Sequence, residues 1–348
     1  MVRVLVKTVM LLCCLPASLH AAVVLMYHHI DASAPAATSV TPAQFEQHLA
    51  RLEAEGFEVV RLDALLEAVR AGADPRRKLV AITFDDAYRS IYEAGLPALE
   101  RRGWQGAVFI NTGGVTGTGL AMSEAMVADI HRRGHLVLNH SHGHPHMVRR
   151  QSGESEQDWL ARIQRDIEQA QAQLETWTGD KVLPILAWPY GEQTAPLRRL
   201  AREMGFTAFG QHTGAMDADS DWQNLPRVAV NRHYAEWRTL REKLLTLPFP
   251  LRATLPADGE TREARPELTL VLNGDWRQRG VQCYIGNQVL RPTVRFSDGV
   301  SELRVRSERE IPVGRSRYNC TAAGGDGRWH WLSWVWMRRD GDGWYPES

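Results

Sequence analysis

Short apolar runs alternate with amphipathic stretches over the first two thirds of the chain. Val23–Tyr27 and Leu79–Phe84 are almost uninterrupted apolar runs, which is typical of strands that are buried on both faces. Between such runs apolar residues recur every three or four positions, as in 155–177, and this spacing predicts amphipathic helices. Regular alternation of strands and helices indicates parallel strands with crossover helices, so we predict an α/β sheet or barrel. In such folds functional residues gather at the carboxyl ends of the strands.

The pattern changes near residue 267. From there short strand-like runs are punctuated by Gly, Asn and Asp, which predicts a small all-β domain. We therefore expect an α/β domain at 22–247, a proline-rich linker at 248–266 and the β domain at 267–348. Cys283 and Cys320 both lie in this last region, and a pair of cysteines in an exported protein favours a disulfide.

The amino terminus has the features of an export signal over residues 1–21. Arg3 and Lys7 give a positive start, Val9–Leu15 is apolar, and small residues lead to a cleavage position after Ala21. The apolar run is too short to span a bilayer, so we expect no integral membrane span once the signal is removed. The sequence thus predicts a periplasmic or secreted protein, and it carries no prediction of oligomeric state.

The charge balance excludes one class of partner. The chain has 348 residues with 41 Lys+Arg and 41 Asp+Glu, which gives a formal net charge of zero. No long-range field is available to gather nucleic acid or an anionic membrane surface. We therefore expect no nucleic-acid partner, and binding must come from local clusters of side chains.

Two polar clusters directly follow predicted strands. Asp85 and Asp86 end the apolar run Leu79–Phe84, and a desolvated carboxylate there needs a partner or a cation, although such a pair also caps helices. His140 and His144 follow another strand and are four residues apart, so one turn brings both imidazoles to one side. Carboxylate and imidazole ligands suit Zn, Ni, Co or Fe, and three protein ligands leave room for water and substrate. We predict a metal site formed by His140, His144 and one carboxylate of the Asp85–Asp86 pair, with zinc as the main candidate.

A third cluster contains aromatic residues at the end of the predicted strand 184–188. Trp188 and Tyr190 flank a Pro-Gly turn, where they would shape an acyl pocket and present a backbone N–H to an oxyanion. The alternative is a rigid turn with packed aromatic side chains. The turn is a substrate-site candidate because of its position.

These three clusters resemble the motifs of the polysaccharide deacetylases, the carbohydrate esterase family with the NodB-homology fold. The Thr-Phe-Asp-Asp motif stands at Thr83–Asp86, and the His-Ser/Thr-x-x-His-Pro motif at His140–Pro145. The Arg-Pro-Pro-Tyr-Gly motif stands at Ala187–Gly191, with alanine in place of arginine. Met26–Ile30 resembles the start of a branch of exported enzymes that act on poly-β-1,6-N-acetylglucosamine.

The resemblance covers Val23 to Arg227 and implies a distorted (β/α) barrel with fewer strands than the eight-stranded form. It implies that Asp86, His140 and His144 bind the divalent metal and that Asp85 is the general base. The implied activity is removal of N-acetyl groups from an acetylated polysaccharide of the N-acetylglucosamine type.

The chain departs from the family pattern at two points. The arginine that orients the base is replaced by Ala187, and the later Leu-x-x-His motif that supplies the general acid is not evident. His28 and His212 are the candidates for the acid, and Arg227 is a candidate replacement for the missing arginine. Slow or restricted catalysis is therefore expected, and two alternatives remain. One is an O-acetyl esterase or cyclic amide hydrolase on the same scaffold, and the other is a catalytically weakened glycan-binding protein.

Overall fold

The computed structural model describes residues 22–72, 77–325, 327–340 and 343–344, and the predicted export signal at 1–21 lies outside them. The α/β region has these strands: β1 Ala22–Tyr27, β2 His29–Ile30, β3 Ser39–Val40, β4 Glu58–Val59, β5 Leu79–Asp85, β6 Ala107–Ile110, β7 Leu136–Asn139, β8 Ile185–Ala187, β9 Thr207–Phe209 and β10 Val228–Ala229. Its helices are α1 Pro42–Ala54, α2 Leu62–Arg70, α3 Leu96–Glu100, α4 Glu124–Arg132, α5 Glu156–Thr178, α6 Ala195–Glu203 and α7 Trp237–Leu244.

The main sheet is a curled, parallel half-barrel flanked by helices. Its strands follow the order β10–β1–β5–β6–β7–β8–β9, and β4 pairs with β5. Residues 225–229, called here the closing segment, span its open side. Leu225 bonds to the β9 side, where its carbonyl accepts the Gly210 N–H at 2.9 Å, and Val228 pairs with Leu25 of β1. The predicted distorted (β/α) barrel is confirmed.

Alternation along β5 separates two apolar clusters. Val80, Ile82 and Phe84 join the cluster that also contains the buried faces of α1 and α3, whereas Leu79 and Ala81 join the barrel interior. Successive strand residues point to opposite faces, so Asp85 shares its direction with Leu79 and Ala81. The first carboxylate of the pair therefore enters the barrel interior.

Helix α5 shows how local sequence sets the bounds of an element. The Ser155 hydroxyl accepts the Asp158 N–H at 3.1 Å, which satisfies a donor of the first turn. Gly179 ends the helix with a φ of 70°, which glycine adopts without steric cost. The buried stripe predicted from the sequence lies between these ends: Trp159, Ile163, Ile167, Ala170 and Leu174.

Residues 91–102 do not form one continuous helix. Ile91–Gly95 forms a wider turn, in which the Leu96 N–H bonds to the Ile91 carbonyl five residues back, and α3 follows it. Pro97 explains the change, because proline has no N–H and its ring clashes with the carbonyl four residues earlier in a regular helix.

The carboxyl-terminal region is all-β, as predicted. Its strands are β11 Leu251–Leu255, β12 Glu260–Thr261, β13 Glu267–Asn273, β14 Gln282–Ile285, β15 Gln288–Leu290, β16 Thr293–Ser297, β17 Val300–Arg306, β18 Gly314–Ala323 and β19 Trp329–Arg338. They form one sheet of order β11–β13–β17–β16 and another of order β12–β19–β18–β14–β15. The predicted Cys283–Cys320 disulfide is present and links the neighbouring strands β14 and β18.

The segment 248–266, expected to be a linker, is part of these sheets. It contains β11, which pairs with β13, and β12, which pairs with β19. The side chains of β11 are half-buried or exposed, so its sequence lacks the apolar alternation that signals a strand. We use the term β domain for 248–344. None of the helices in the described part of the chain is long and apolar enough to cross a membrane.

Candidate metal centre

The carboxylate pair lies where β5 ends in the barrel mouth. Asp85 is fully buried, and Asp86 is half-buried with a φ of 72°. A positive φ is uncommon for a residue other than glycine, and it breaks the strand's alternation at this point. The turn thus directs both carboxylates toward the same end of the barrel.

The loop after β7 presents the two predicted histidine ligands. The Asn139 side chain accepts the Ser141 N–H at 2.8 Å, and the Asp166 carboxylate of α5 accepts the Gly143 N–H at 3.0 Å. The Ser141 hydroxyl accepts the His144 N–H at 3.0 Å. Ser141 and His144 have φ values of 66° and 49°, so the loop is held in a conformation that these residues rarely adopt.

Asp86, His140 and His144 converge as predicted, with one possible ligand atom from each lying within 4.8 Å of the others. Asp86 Oδ1 is 3.6 Å from His140 Nε2 and 3.5 Å from His144 Nε2. Ligand atoms about 2.1 Å from a tetrahedral zinc ion are roughly 3.4 Å apart, which these separations match. The donor atoms thus have the spacing that a small divalent ion needs.

The protonation of the two imidazoles also fits a metal. His140 Nδ1 donates to the Ala187 carbonyl at 2.8 Å, so Nε2 carries the lone pair. That Nε2 atom is buried and has no hydrogen-bond partner among the described residues. Burial, reinforced by His140, lowers the pKa of His144 to about 4, so its imidazole is neutral at physiological pH. Metal ligands must be neutral imidazoles, and this centre satisfies that requirement.

A buried ion pair holds Asp85. Arg227 donates to the two carboxylate oxygens at 2.5 and 2.7 Å, and both side chains are fully buried. Burial alone would raise the pKa of Asp85, but the Arg227 charge, assisted by His140 and His28, lowers it to about 2. The carboxylate is therefore ionised and fixed in orientation at neutral pH.

Arg227 reaches Asp85 from the closing segment. Its guanidinium lies 5.1 Å from the ring centre of Phe109 and 5.9 Å from that of Phe209, inside the barrel. Ala187 belongs to the same interior cluster, and its short side chain leaves this space to the guanidinium. The structure thus places Arg227, the candidate replacement arginine, against Asp85, the candidate base. Arg227 lies far along the chain from the motif in which the family pattern has its arginine.

The two candidate acids lie in different places. His28 lines the cleft at the metal centre together with Asp86 and His144. His212 lines a separate cavity of about 310 Å³. Burial, with the charges of Arg317 and Arg227, lowers the pKa of His212 to about 3, so it is neutral at physiological pH. The structure brings His28, and not His212, to the centre.

The two aromatic residues of the third cluster, Trp188 and Tyr190, also lie in different places. Trp188 is fully buried in a core cluster, where its indole N–H donates to the Gln223 carbonyl at 2.9 Å, so it does not line the cleft. Tyr190 does line it, with a φ of 59°. The Tyr190 ring is stacked on His146 at 3.9 Å and meets His144 edge-on at 4.6 Å. Of the two aromatic residues, only Tyr190 is placed to contact a substrate at the metal.

The contacts that hold Tyr190 could not be predicted from the sequence. His146 Nδ1 lies 2.7 Å from the Glu192 carboxylate, which is fully buried. Arg315 of the β domain donates to the Tyr190 carbonyl at 2.9 Å and lies 5.4 Å from the centre of its ring. Arg315 is far from Tyr190 in sequence, so no local pattern could have paired them. The β domain therefore reaches the edge of the metal centre.

Comparison with known proteins shows that the part of the chain that carries this centre is similar to a known family. The family model for polysaccharide deacetylase matches residues 72–209, which contain all three motifs. The putative polysaccharide deacetylase YxkH of Bacillus subtilis is 24% identical over 210 residues, which cover 60% of this chain and 71% of that protein.

Two solved structures share the fold. The deacetylase PplD of Streptococcus pyogenes, solved in complex with acetate, matches with a TM-score of 0.57 and 18% identity, over 64% of this chain and 98% of that one. A de-N-acetylase of Aggregatibacter actinomycetemcomitans matches with a TM-score of 0.56 and 16% identity, over 64% of this chain and 99% of that one. The predicted resemblance and the hydrolase class are confirmed.

Proposed function

We propose that the α/β region, part of which matches the polysaccharide deacetylase family model, is a divalent-metal-dependent hydrolase that removes N-acetyl groups from an N-acetylglucosamine-type polysaccharide. The observation that carries the proposal is the metal triad Asp86, His140 and His144 beside the ionised, arginine-held carboxylate of Asp85. A hydrolytic centre needs an electrophile and a base side by side, and these four side chains supply the positions for both.

The chemistry follows from the neighbours of the triad. A divalent metal held by the triad supplies a Lewis acid that polarises the acetyl carbonyl and lowers the pKa of a bound water. Asp85 accepts the proton of the attacking water, and Arg227 keeps the accepting oxygens aimed at it. Because Arg227 binds both oxygens, Asp85 cannot rotate away between turnovers.

Two further residues complete the assignment. We assign the general acid to His28, which lines the cleft beside Asp86 and donates the proton that the departing amine nitrogen requires. We assign stabilisation of the developing oxyanion to the backbone N–H of Tyr190 at the turn against His144. These roles divide proton acceptance, proton donation and charge stabilisation among separate groups.

One reason to expect lost catalysis was the replacement of the motif arginine by Ala187, which favoured a weakened glycan-binding protein. Arg227 supports retained catalysis, because it makes a bidentate contact to Asp85 from the closing segment. The preference for N-acetyl over O-acetyl groups is supported by one neighbour of this fold, which is described as a de-N-acetylase. O-acetyl esterase and cyclic amide hydrolase activity are the other outcomes that the assay must distinguish.

The experiment is acetate release by the purified chain from a panel of substrates: N-acetylglucosamine polymers, O-acetylated xylan and a cyclic imide. Metal is removed with a chelator and restored with Zn, Ni, Co or Fe. We expect acetate from the N-acetylated polymers only, with activity lost and regained with the metal. Turnover that is unaffected by chelation, or confined to xylan or the imide, would overturn the proposal.

Matched variants locate the activity in this centre. Asp85→Asn should abolish acetate release while bound metal, measured by elemental analysis, stays at the wild-type level. His140→Ala should lose both metal and activity, because it removes a ligand. Equal metal loss in the two variants would show that Asp85 is a ligand and not the base.

We also propose that the protein is exported. The Cys283–Cys320 disulfide supports this, because disulfides persist in oxidising compartments and are rare in the cytosol. Fractionation of the native cells, with the periplasm and medium assayed separately, tests it.

A further inference from the structure

The β domain forms one wall of the cleft at the metal centre. The cleft has a volume of about 1900 Å³, and Asp86, His144 and Tyr190 line its barrel side. Its lining also includes the turn at 285–288, the turn at 307–312 and strand β18 of the β domain. The space above the metal is thus enclosed between two regions of the chain, of which only the first matches the deacetylase family.

This wall is packed against the barrel. Besides the Arg315–Tyr190 contact, Arg317 donates to the Gln211 carbonyl at 3.1 Å. The backbone of Leu247 exchanges hydrogen bonds with β19, at 2.8 Å to Trp329 and 3.0 Å from Trp331. Met337 of β19 also joins the apolar cluster around Trp188. These contacts fix the position of the β domain relative to the metal, so the wall has a defined place in the active site.

The size of the cleft exceeds what a single sugar requires. Pockets for drug-sized ligands have volumes of roughly 300–1,000 Å³. The volume here is about twice the upper end of that range, so a monosaccharide bound at the metal would leave most of the cleft empty. Part of the remaining space is lined by the β domain.

The chemistry of this wall suits sugar units. The exposed side chains of Asn287 and Arg309 and the half-buried Gln288 and Asn319 supply planar hydrogen-bonding groups, and Trp331 supplies an aromatic ring. Planar amide and guanidinium groups hydrogen-bond hydroxyl and acetamido oxygens, and an indole covers the apolar face of a sugar ring.

We propose that the β domain binds the sugar units that flank the one being deacetylated, so that the enzyme acts on extended chains rather than on mono- or disaccharides. This inference rests on the proposed deacetylase activity of the same cleft. It assigns to the β domain a direct role in substrate binding, through Asn287 and Arg309.

The test compares chain length in the full-length protein. Acetate release is measured on the N-acetylglucosamine monosaccharide, disaccharide, tetrasaccharide and hexasaccharide. We expect kcat/KM to rise at least about tenfold from disaccharide to hexasaccharide in the wild type, since two or more added hydrogen bonds each contribute a few-fold. The double variant Asn287→Ala/Arg309→Ala should lose this rise, so that its kcat/KM for the hexasaccharide approaches its own value for the disaccharide.

Arg295→Ala is the matched control, because Arg295 is an exposed arginine on β16 of the same domain and does not line the cleft. It should keep the full chain-length dependence. A wild type that deacetylates all lengths equally would overturn the inference, and so would a double variant that keeps the rise.

A binding measurement separates this inference from the proposed function. Calorimetry with Asp85→Asn protein measures the affinity for the hexasaccharide and the disaccharide without turnover. Absence of acetate release from every substrate would refute the proposed deacetylase activity. Tighter binding of the hexasaccharide that disappears in Asn287→Ala/Arg309→Ala would still support sugar binding by the β domain. Equal affinities for the two oligosaccharides would refute sugar binding by the β domain, whether or not the protein releases acetate.

Discussion

Replacement of Arg227 by methionine tests how the centre is held together. Methionine keeps much of the length of the arginine side chain but removes its charge and its donors. In the wild type the guanidinium makes two hydrogen bonds to a fully buried carboxylate and donates to the Gly210 carbonyl at 3.0 Å. The variant leaves Asp85 buried without its cation, which is a more severe change than loss of a surface ion pair.

The magnitude can be estimated in two ways. Removal of one partner of a buried ion pair typically destabilises a protein by ~3–5 kcal/mol. The pKa of Asp85, lowered from 3.8 to about 2, corresponds to about 2 kcal/mol, at ~1.4 kcal/mol per pKa unit. The second figure is smaller because it includes only the part that depends on protonation. We expect Arg227→Met to lower the free energy of unfolding by ~3–5 kcal/mol at neutral pH.

The pH dependence of this loss has a definite sign. The pKa of Asp85 in the folded wild type lies below its unfolded value, so the contribution of the pair is present above about pH 4 and disappears as the pH falls through about 2. In Arg227→Met the burial of Asp85 is no longer opposed, so its pKa rises and protonation relieves the variant. The stability difference between wild type and variant should therefore shrink as the pH falls from 7 toward about 3.

Urea unfolding at several pH values measures the stability, and steady-state acetate release measures the activity. We expect kcat to fall about 10²-fold, because a misdirected base costs that much even when it is present, while metal content stays unchanged. Arg227→Lys is the control: it keeps the charge but not the bidentate contact, so it should recover part of the stability and little of kcat. Wild-type kcat in Arg227→Met, or a stability difference that is independent of pH, would refute the assignment.

Three further predictions concern other parts of the chain. His28→Gln should lower kcat by roughly 10²–10⁴-fold while bound metal stays at the wild-type level, as expected for loss of a general acid; an unchanged kcat would exclude that role. Replacing both Cys283 and Cys320 by serine, which opens a loop with a sequence separation of 37, should lower the free energy of unfolding by ~3–4 kcal/mol in urea titration, and reducing agent should do the same to the wild type only. Thr41→Ala removes the cap at the start of α1, where the Thr41 hydroxyl accepts the Gln44 N–H at 3.1 Å, and should cost about 1 kcal/mol in the same titration without altering kcat.

Features that rest on local patterns could be predicted from the sequence. The strand–helix alternation predicted an α/β sheet or barrel, and the apolar stripe of α5 predicted that helix within a residue or two of its observed ends. The histidine ligands were found because His140 and His144 share one loop, and the resemblance to the family motif singled out Asp86. In each case the signal lies in neighbouring residues.

Features that depend on contacts between distant parts of the chain could not be predicted in this way. Strand β18 has buried residues at alternate positions over its second half, but Arg315, Ser316 and Arg317 obscure the pattern at its start. Arg315 approaches Tyr190 only because the β domain packs on the barrel. The aromatic residues of β19 do not share one face: Trp336 is fully buried, whereas Trp329 is 53% exposed.

The role of Arg227 was only partly predictable from the sequence. The sequence identified it as a candidate but offered no reason why an arginine near residue 227 should reach residue 85. The reason is geometric, because the closing segment spans the open side of the half-barrel and so faces the end of β5. Asp85, the proposed base, is thus paired with a cation from the closing segment and not from position 187.

The same ion pair lowers the proton affinity of Asp85, the proposed base. A carboxylate whose pKa is about 2 is a weak proton acceptor, so Asp85 alone would not deprotonate an ordinary water at a useful rate. Arg227 therefore improves orientation and lowers basicity at once. Such a base is effective only on water whose own pKa is already lowered, which is the effect of a divalent cation at the neighbouring triad. In the proposed mechanism, Asp85 and a metal held by Asp86, His140 and His144 would therefore have to act on the same water.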